Sequence, residues 1–474
     1  MAARSATIWK ILGIAALAAP MLLFAVLRFQ PSLDPAWMAF DFHFYVVGLT
    51  AAAAALACAV VMASAKTLRE TRLLFLGLAF LSIAGIFAVH GLATPGFLVE
   101  QYHGSVSVSA WLSAAVGAAF VAISVTGLPP RAEHFVERNG RLFFGITALA
   151  VFAYIALSVQ MEAWLNWVPI ENRNLQLTLG LGSLALTGYG AVRYYQSYAF
   201  ARLPSQLAMM GALVLLMEVQ TIILWGQVWH ISWWLYHGLY GVAFAVLFAG
   251  WAVEVRRAGS LRAIADALSM RDALSQFNRG LEAPILELVD AIEIKDLQTL
   301  GHVRRVSGYA LAIGRRLNLS TGELRSLVLA AEMHDVGKIS IPGALLEKPG
   351  PLTEEEFDVI KTHTVRGDEI AQRVPALRSL APAIRHHHER IDGSGYPDGL
   401  AGEAIPLISR IIAVADSYDA MTSKRPYRDS MSHLEAMGEI LRLRDVELDP
   451  RCVDALVAVL SEPGPRAAAE RIAA

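Results

Sequence analysis

Charged residues and cysteines are scarce in this chain of 474 residues, and each shortage excludes a class of protein. Asp, Glu, Lys and Arg make up 17% of the sequence against 55% hydrophobic residues, which is unlike an average soluble enzyme. The net charge of −2 gives no bias towards a DNA or RNA polymer as partner. The two cysteines, Cys58 and Cys452, lie far apart in the chain, so we predict neither a disulfide nor a thiolate metal site.

Long apolar runs fill the N-terminal half, whereas most charged residues lie beyond residue 254. About eight runs are long enough to cross a bilayer as helices, near 8–28, 43–64, 72–91, 106–127, 141–161, 175–195, 207–226 and 235–254. Basic residues concentrate in alternate breaks between the runs, at Arg4, Lys10, Lys66, Arg69, Arg72, Arg131, Arg138, Arg141, Arg193, Arg202, Arg256 and Arg257. The intervening breaks carry only Arg28 and Arg173, so the positive-inside rule predicts an even number of spans and two cytoplasmic termini.

The first run, 8–28, has two interpretations. Ala-Leu-Ala-Ala at 16–19 is compatible with a signal-peptide cleavage region, but apolar sequence continues through Leu27 without a polar exit. We therefore favour a retained span.

Polar side chains interrupt the predicted spans at His90, Glu218, Gln220, His230 and His237. Ionisable groups inside a bilayer are costly and often functional, so Glu218, within the apolar run 213–224, is the predicted sensory residue. The alternative is hydrogen bonding between helices or placement at the membrane interface, which suits His230 and His237 beside their neighbouring tryptophans. After the last span, residues 255–283 carry apolar side chains at helical spacing, which predicts a continuous linker helix and a homodimer formed through it.

The most informative stretch of the C-terminal part is His334-Asp335-Val336-Gly337-Lys338, which follows an apolar segment that predicts a buried helix. Imidazole nitrogen binds divalent metals, the adjacent carboxylate can bridge two of them, and Gly337 removes a side chain that would crowd them. Lys338 follows Asp335 by three residues and provides a cation for a phosphate. Similar residue types recur at His302, His363, His386, His387, His388 and Asp416. Residues 284–460 lack strand alternation, which predicts an all-α bundle.

The segment 284–460 resembles the HD-GYP domain, a branch of the HD metal-dependent phosphohydrolases. The matching motifs are His334–Lys338, Lys348–Thr353, Lys361–His363, His387–Pro397 and Asp416–Arg428. The resemblance implies a phosphodiesterase that hydrolyses the bacterial second messenger cyclic di-GMP to linear pGpG, GMP or both. It also implies a cytoplasmic location for this domain, tethered to the bacterial inner membrane.

The resemblance further assigns site residues. The implied metal ligands are His302, His334, Asp335, His363, His387, His388 and Asp416, with Asp335 bridging the ions and acting in catalysis beside Lys338. The implied substrate contacts are Gly395, Tyr396, Arg425 and Arg428, although the two arginines could instead form a solvated surface pair. Three consecutive histidines cannot face one point on a helix, so His386 is expected to be structural.

The expected number and identity of the metal ions follow from the donor atoms of these implied ligands. Some family members carry a Glu four residues before the position of His302, where this chain has the weaker ligand Gln298, so we expect two divalent ions rather than three. Nitrogen and oxygen donors alone admit Fe, Mn, Zn or Ni.

The sequence thus predicts an all-α protein in four parts. A polytopic membrane sensory domain (1–254) and a linker or signalling helix (255–283) precede the HD-GYP domain (284–460) and a flexible tail (461–474). The predicted partners are cyclic di-GMP, the lipid bilayer and a second copy of the chain. Two other functions remain open: a non-catalytic dinucleotide receptor, against which the intact ligand set argues, and a hydrolase of another cyclic dinucleotide.

Overall fold

The structure is a computed structural model. It describes residues 2–65, 70–95, 99, 104–160, 168–270, 277, 281, 285, 287–288, 291, 301–348, 350–423 and 430–461. Within these ranges the chain is helical, and β-structure is limited to isolated bridges, which confirms the all-α prediction. The chain forms two compact units: an N-terminal unit of residues 1–198 and 202–276, and a C-terminal unit of residues 277–474 with 199–201.

The long helices of the N-terminal half match the predicted spans. They are α1 (Ala2–Phe29), α2 (Phe40–Ser64), α3 (Thr71–Leu92), α4 (Gly104–Thr126), α5 (Pro130–Gln160), α6 (Arg173–Ala201), α7 (Pro204–Trp225) and α8 (Ile231–Ala258). Among the described residues, the seven helices α2 to α8 are long and apolar enough to cross a membrane. Helix α1 adds a shorter apolar stretch, Ala15–Phe29, so the predicted count of about eight spans is confirmed.

The segment after the last span differs from the continuous helix that the sequence predicted. Helix α8 ends at Ala258, and Gly259 follows in the left-handed conformation with a φ of 72°, which is typical of a glycine that terminates a helix. A short helix, α9 (Arg262–Ser269), then packs against α2, α3, α7 and α8 with its apolar face buried. The apolar residues at helical spacing in this segment are therefore explained by the packing of α9 against other helices of the N-terminal unit. Residues 271–276 lie outside the described part of the chain.

Two buried polar residues of α7, Gln220 and Glu218, differ in their hydrogen bonding. Gln220 donates from Nε2 to Thr187 Oγ1 at 2.9 Å and so links α7 to α6, as helix–helix hydrogen bonding predicts. Glu218 is buried in α7, and its Oε2 atom has no hydrogen-bond partner among the described residues. Its sensory role remains a prediction.

The C-terminal unit contains shorter helices joined by turns. They are α10 (His302–Arg316), α11 (Thr321–Met333), α12 (Gly343–Leu346), α13 (Glu354–Arg373), α14 (Ala381–Arg385), α15 (Leu407–Thr422), α16 (His433–Leu443) and α17 (Pro450–Ser461). Helix α10 packs against α11, α15 and α17, while α13 packs against α14 and the 3₁₀ turn Val336–Ser340. The predicted tail begins at the end of α17, and residues 462–474 lie outside the described residues.

Helix α11 explains why the His-Asp pair is fixed in space. A capping box formed by Ser320 and Glu323 starts the helix, which satisfies backbone N–H groups at its first turn. Its last turns are buried from Leu327 to Met333, which confirms the predicted buried helix. His334 and Asp335 follow directly at its C-terminal end.

Candidate metal centre

His334 and Asp335 lie at the junction where α11 gives way to the 3₁₀ turn Val336–Ser340. Both side chains are almost fully buried, with exposed fractions of 1% and 3%. A buried junction between two rigid segments restricts the rotamers of both residues, and pre-ordered side chains are what a metal site requires.

Gly337 brings helix α13 against this junction. A Cβ atom at residue 337 would overlap the carbonyl oxygen of His363 and would lie 2.6 Å from the backbone nitrogen of Gly367. The expectation that Gly337 leaves space for metal ions is corrected by this geometry. Gly337 makes room for the α13 backbone, and that close approach carries His363 to the site.

Three histidines are oriented by the same local device. His334, His363 and His387 donate their Nδ1–H groups to the carbonyl oxygens of Ala331, Ile360 and Ile384, three residues earlier, at 2.8, 2.7 and 2.6 Å. A carbonyl oxygen only accepts hydrogen bonds, so each neutral ring must carry its proton on Nδ1. Each Nε2 therefore presents a bare lone pair, which is the tautomer that binds metal with a hydrogen-bonded second nitrogen.

Asp335 lies between these rings. Its Oδ1 atom is 3.4 Å from His363 Nε2, and its Oδ2 atom is 3.4 Å from His334 Nε2 and 2.8 Å from Lys338 Nζ. Burial opposes ionisation of this carboxyl, but Lys338 and the neighbouring histidines hold its pKa well below the usual range. A charged carboxylate in the middle of several imidazole lone pairs is a strong donor for a cation.

His302 approaches from α10 and is held by residues of α15. Its Nδ1 atom donates to Asp419 Oδ2 at 2.7 Å, and its Nε2 atom lies 3.4 Å from Asp416 Oδ1. Arg305 donates two hydrogen bonds to the same carboxylate, from Nε to Asp419 Oδ1 at 2.6 Å and from Nη2 to Asp419 Oδ2 at 3.1 Å. Burial acts against a charged imidazole, yet Asp419 and Asp416 raise the pKa of His302.

Asp419 and Arg305 are site-supporting residues that the sequence analysis did not assign. The only available signal was the position of Asp419 three residues after Asp416, one turn along the same helical face.

The three consecutive histidines take different roles. His386 binds Asp398 at 2.8 Å through Nε2 and the carbonyl of Pro382 through Nδ1, which agrees with its expected structural part. His387 and His388 turn towards Asp335 and His363, and the four side chains place one ligand atom each within 4.8 Å of one another. Burial and the neighbouring imidazoles keep the pKa of His387 and of His388 well below the usual value, so both rings are neutral at pH 7.

Tyr396 forms one wall beside His388. The two ring centroids are 4.9 Å apart, and the backbone N–H of Tyr396 donates to the His388 carbonyl at 3.2 Å. Gly395 permits this approach, because a Cβ atom there would lie 2.5 Å from Glu389 Cα. Burial, with Asp335 and Asp416 nearby, raises the pKa of the Tyr396 phenol, which therefore stays protonated.

Two groups of donors meet at Asp335. One consists of His302, His334 and Asp335, and the other of Asp335, His363, His387 and His388. A carboxylate shared by two groups is suited to bridging two cations, and nitrogen and oxygen donors fit divalent transition metals. The residues present therefore fit metal binding. Gln298, Arg425 and Arg428, also assigned by the sequence, lie outside the described residues.

Comparison with known proteins identifies the same region. Residues 287–452 match the family model described as HD domain. The chain is 46% identical over 177 residues to the "Cyclic di-GMP phosphodiesterase response regulator RpfG" of Xanthomonas campestris pv. campestris, a match that covers 36% of this chain and 46% of that protein. It is 40% identical over 181 residues to a "Cyclic di-GMP phosphodiesterase" of Thermotoga maritima, covering 38% and 49% of the two chains.

A third relative carries a different substrate in its name. The "3'3'-cGAMP-specific phosphodiesterase 3" of Vibrio cholerae serotype O1 is 35% identical over 181 residues, covering 38% of this chain and 39% of that protein. The chain thus spans less than half the length of each of these relatives. The region that matches the HD domain model, residues 287–452, lies within the C-terminal unit.

Proposed function

We propose that the HD domain of this chain is a metal-dependent phosphodiesterase that hydrolyses cyclic di-GMP to pGpG, GMP or both. The observation that carries the proposal is the pair of donor groups that share Asp335. The names of the Xanthomonas and Thermotoga relatives supply the substrate class. The Vibrio relative makes 3'3'-cGAMP the second candidate substrate.

In this proposal the residues of the site would hold two ions, and Asp335 would serve both. His302 and His334, with Asp416 beside His302, would bind one ion, and His363, His387 and His388 would bind the other. Metal ions bound there would supply Lewis acidity for the attack of water on a phosphodiester. The donor set admits Fe, Mn, Zn or Ni, and Gln298 in place of a carboxylate favours two ions over three.

The remaining residues bind and orient the substrate. Lys338, 2.8 Å from Asp335 Oδ2, offsets part of the carboxylate charge and offers an ammonium group to the scissile phosphate. Tyr396 provides an aromatic face and a protonated hydroxyl beside His388 for the base or ribose. Gly395 sets the position of Tyr396, and Arg425 and Arg428 contact the phosphates of the dinucleotide.

The proposal extends to the location of the enzyme. The alternation of basic residues between spans supports a bacterial inner-membrane protein whose HD domain faces the cytoplasm. The N-terminal unit then acts as a sensory input, with Glu218 as its candidate sensory residue, and the chain works as a homodimer.

The test is hydrolysis by the full chain with matched substitutions. We expect Asp335→Ala to abolish hydrolysis and to lower the bound metal, because it removes the only ligand common to both donor groups. Asp358→Ala removes a carboxylate whose side chain is 71% exposed and should change neither quantity. Retained turnover by a metal-depleted Asp335→Ala protein would refute the proposal.

A further inference from the structure

Three histidines from separate helices meet inside the N-terminal unit, and the proposed function assigns no role to any of them. His43 lies on α2, His90 on α3 and His237 on α8, with exposed fractions of 0%, 3% and 1%. Their ring centroids are 4.7 to 5.8 Å apart. One nitrogen from each ring lies within 4.8 Å of the other two.

His90 has a defined tautomer. Its Nδ1–H donates to the carbonyl oxygen of Val106 at 2.7 Å, so the neutral ring carries a single lone pair on Nε2. His43 Nε2 lies 3.0 Å from His90 Nε2, and the Tyr236 hydroxyl oxygen lies 2.8 Å from the same nitrogen. His43 Nε2 and the Tyr236 hydroxyl therefore approach the same acceptor, His90 Nε2. Its single lone pair cannot accept a well-aligned hydrogen bond from both groups.

The ring nitrogens of His237 have even fewer hydrogen-bond partners. The backbone of Trp233, four residues earlier, faces the His237 ring, but neither ring nitrogen makes a hydrogen bond of good geometry among the described residues. Leaving a buried polar group without a hydrogen bond costs about 1–3 kcal/mol. Such an orphaned ring beside two further imidazoles indicates a ligand that accepts several lone pairs at once.

We propose that His43, His90 and His237 form a binding site for a first-row transition-metal ion that favours imidazole, copper or zinc. Three nitrogens that surround one ion at about 2.1 Å lie about 3.4–3.6 Å from one another. The present nitrogens lie within 4.8 Å of one another, so closing the site requires each side chain to shift by about 1 Å or less. The Nδ1 contacts of His43 with Thr94, at 2.9 Å, and of His90 with Val106 orient two of the ligands. Imidazole donors without thiolate suit copper and zinc.

An entry path is present. A partly open cavity of about 80 Å³ is lined by His43, His90, Tyr236, Trp229, Trp233 and Ser107 among others. The cavity gives an ion access to His43 and His90, and His237 lies directly behind them, with ring centroids 4.8 and 5.8 Å from theirs. This site is separate from the HD-domain centre and does not depend on the proposed hydrolysis.

Tryptophan emission distinguishes the two centres. All ten tryptophans precede residue 255, and the C-terminal unit has none. The Trp233 ring lies 4.5 Å from His237 and 5.4 Å from His43. Because Cu²⁺ quenches nearby tryptophan, titration of the metal-free full chain with Cu²⁺ in lipid nanodiscs reports binding at the histidine cluster.

We expect saturable quenching that is prevented by prior addition of Zn²⁺. His43→Gln and His90→Gln should each weaken this binding at least about tenfold and lower the metal content by one ion per protomer. His134→Gln removes an exposed histidine of α5 and should behave as the unsubstituted chain. Absence of saturable quenching in the unsubstituted chain would overturn the proposal even if the variants fail to fold. So would equal quenching and metal content in folded His43→Gln and His90→Gln proteins.

Discussion

Replacing Gly337 with alanine tests whether the approach of α13 builds the metal centre. The added Cβ atom would overlap His363 O and would lie 2.6 Å from Gly367 N. Both obstacles are backbone atoms, which cannot rotate away. Overpacking of this kind lowers the free energy of unfolding by about 1–3 kcal/mol. Because the neighbouring backbone atoms are rigid, we expect a loss near the upper value. Relief requires α13 to move by more than about 1 Å, which carries His363 away from Asp335.

Gly438→Ala is the matched control. Gly438 lies on the exposed side of α16, where an added Cβ meets no atom within 4 Å. Alanine inside a helix is more favourable than glycine by about 0.5–1 kcal/mol, so this substitution should leave the C-terminal unit unchanged or slightly more stable.

Cys452 supplies the assay. It is free, fully buried in α17 and the only cysteine of its unit, since Cys58 lies in α2. In a Cys58→Ala background, the rate of thiol labelling under native conditions reports opening of the C-terminal unit. A loss of about 1.4 kcal/mol corresponds to a tenfold faster rate. We expect Gly337→Ala to label about 10- to 100-fold faster and to lose metal, and equal rates for Gly337→Ala and Gly438→Ala would refute the reasoning.

Three further predictions follow from the same geometry. Asp419→Asn should weaken metal binding about 10- to 100-fold, because His302 loses the carboxylate that orients it; unchanged affinity in a metal titration would contradict this. Elemental analysis of a chain whose histidine cluster is removed by His90→Gln should return two ions per protomer, and three ions would show that Gln298 does not limit the count. A reporter active only in the periplasm should be silent when fused after Arg257 and active when fused at residue 101, and the reverse pattern would overturn the proposed topology.

The sequence predicted most of the fold because apolar length is a strong signal. Spans read from hydropathy agree with the helices to within a few residues at most ends, apart from the amphipathic beginning of α5 at Pro130. The linker was less predictable. Apolar residues at helical spacing do not reveal where a helix breaks or which surface it covers, so the stop at Gly259 and the docking of α9 required the tertiary structure.

The candidate metal centre was assigned largely through family resemblance, and the structure adds the physical reasons for its geometry. The i−3 hydrogen bonds that orient His334 and His387 lie at helix ends that no local pattern specifies, whereas that of His363 lies within α13. The role of Gly337 was misread, because its neighbours His363 and Gly367 are more than twenty residues away in sequence. Asp419 was overlooked for a similar reason, since its partner His302 lies on another helix.

The histidine cluster of the N-terminal unit is a clearer example of a site that the sequence could not predict. His90 and His237 stood out as polar residues in apolar runs, but His43 fell at the first position of a predicted span and drew no attention. The three residues lie on α2, α3 and α8, and only the packing of those helices brings them together. Sequence spacing alone carries no signal for such a site.

The most direct test of the account is hydrolysis by the metal-loaded full chain. The protein is incubated with cyclic di-GMP, 3'3'-cGAMP and a third cyclic dinucleotide, and the products are separated by liquid chromatography. We predict conversion of cyclic di-GMP to pGpG, GMP or both, and no conversion after chelation of the metal. Binding of cyclic di-GMP without any turnover, under conditions where the metal is retained, would contradict the proposed enzyme and identify a receptor instead.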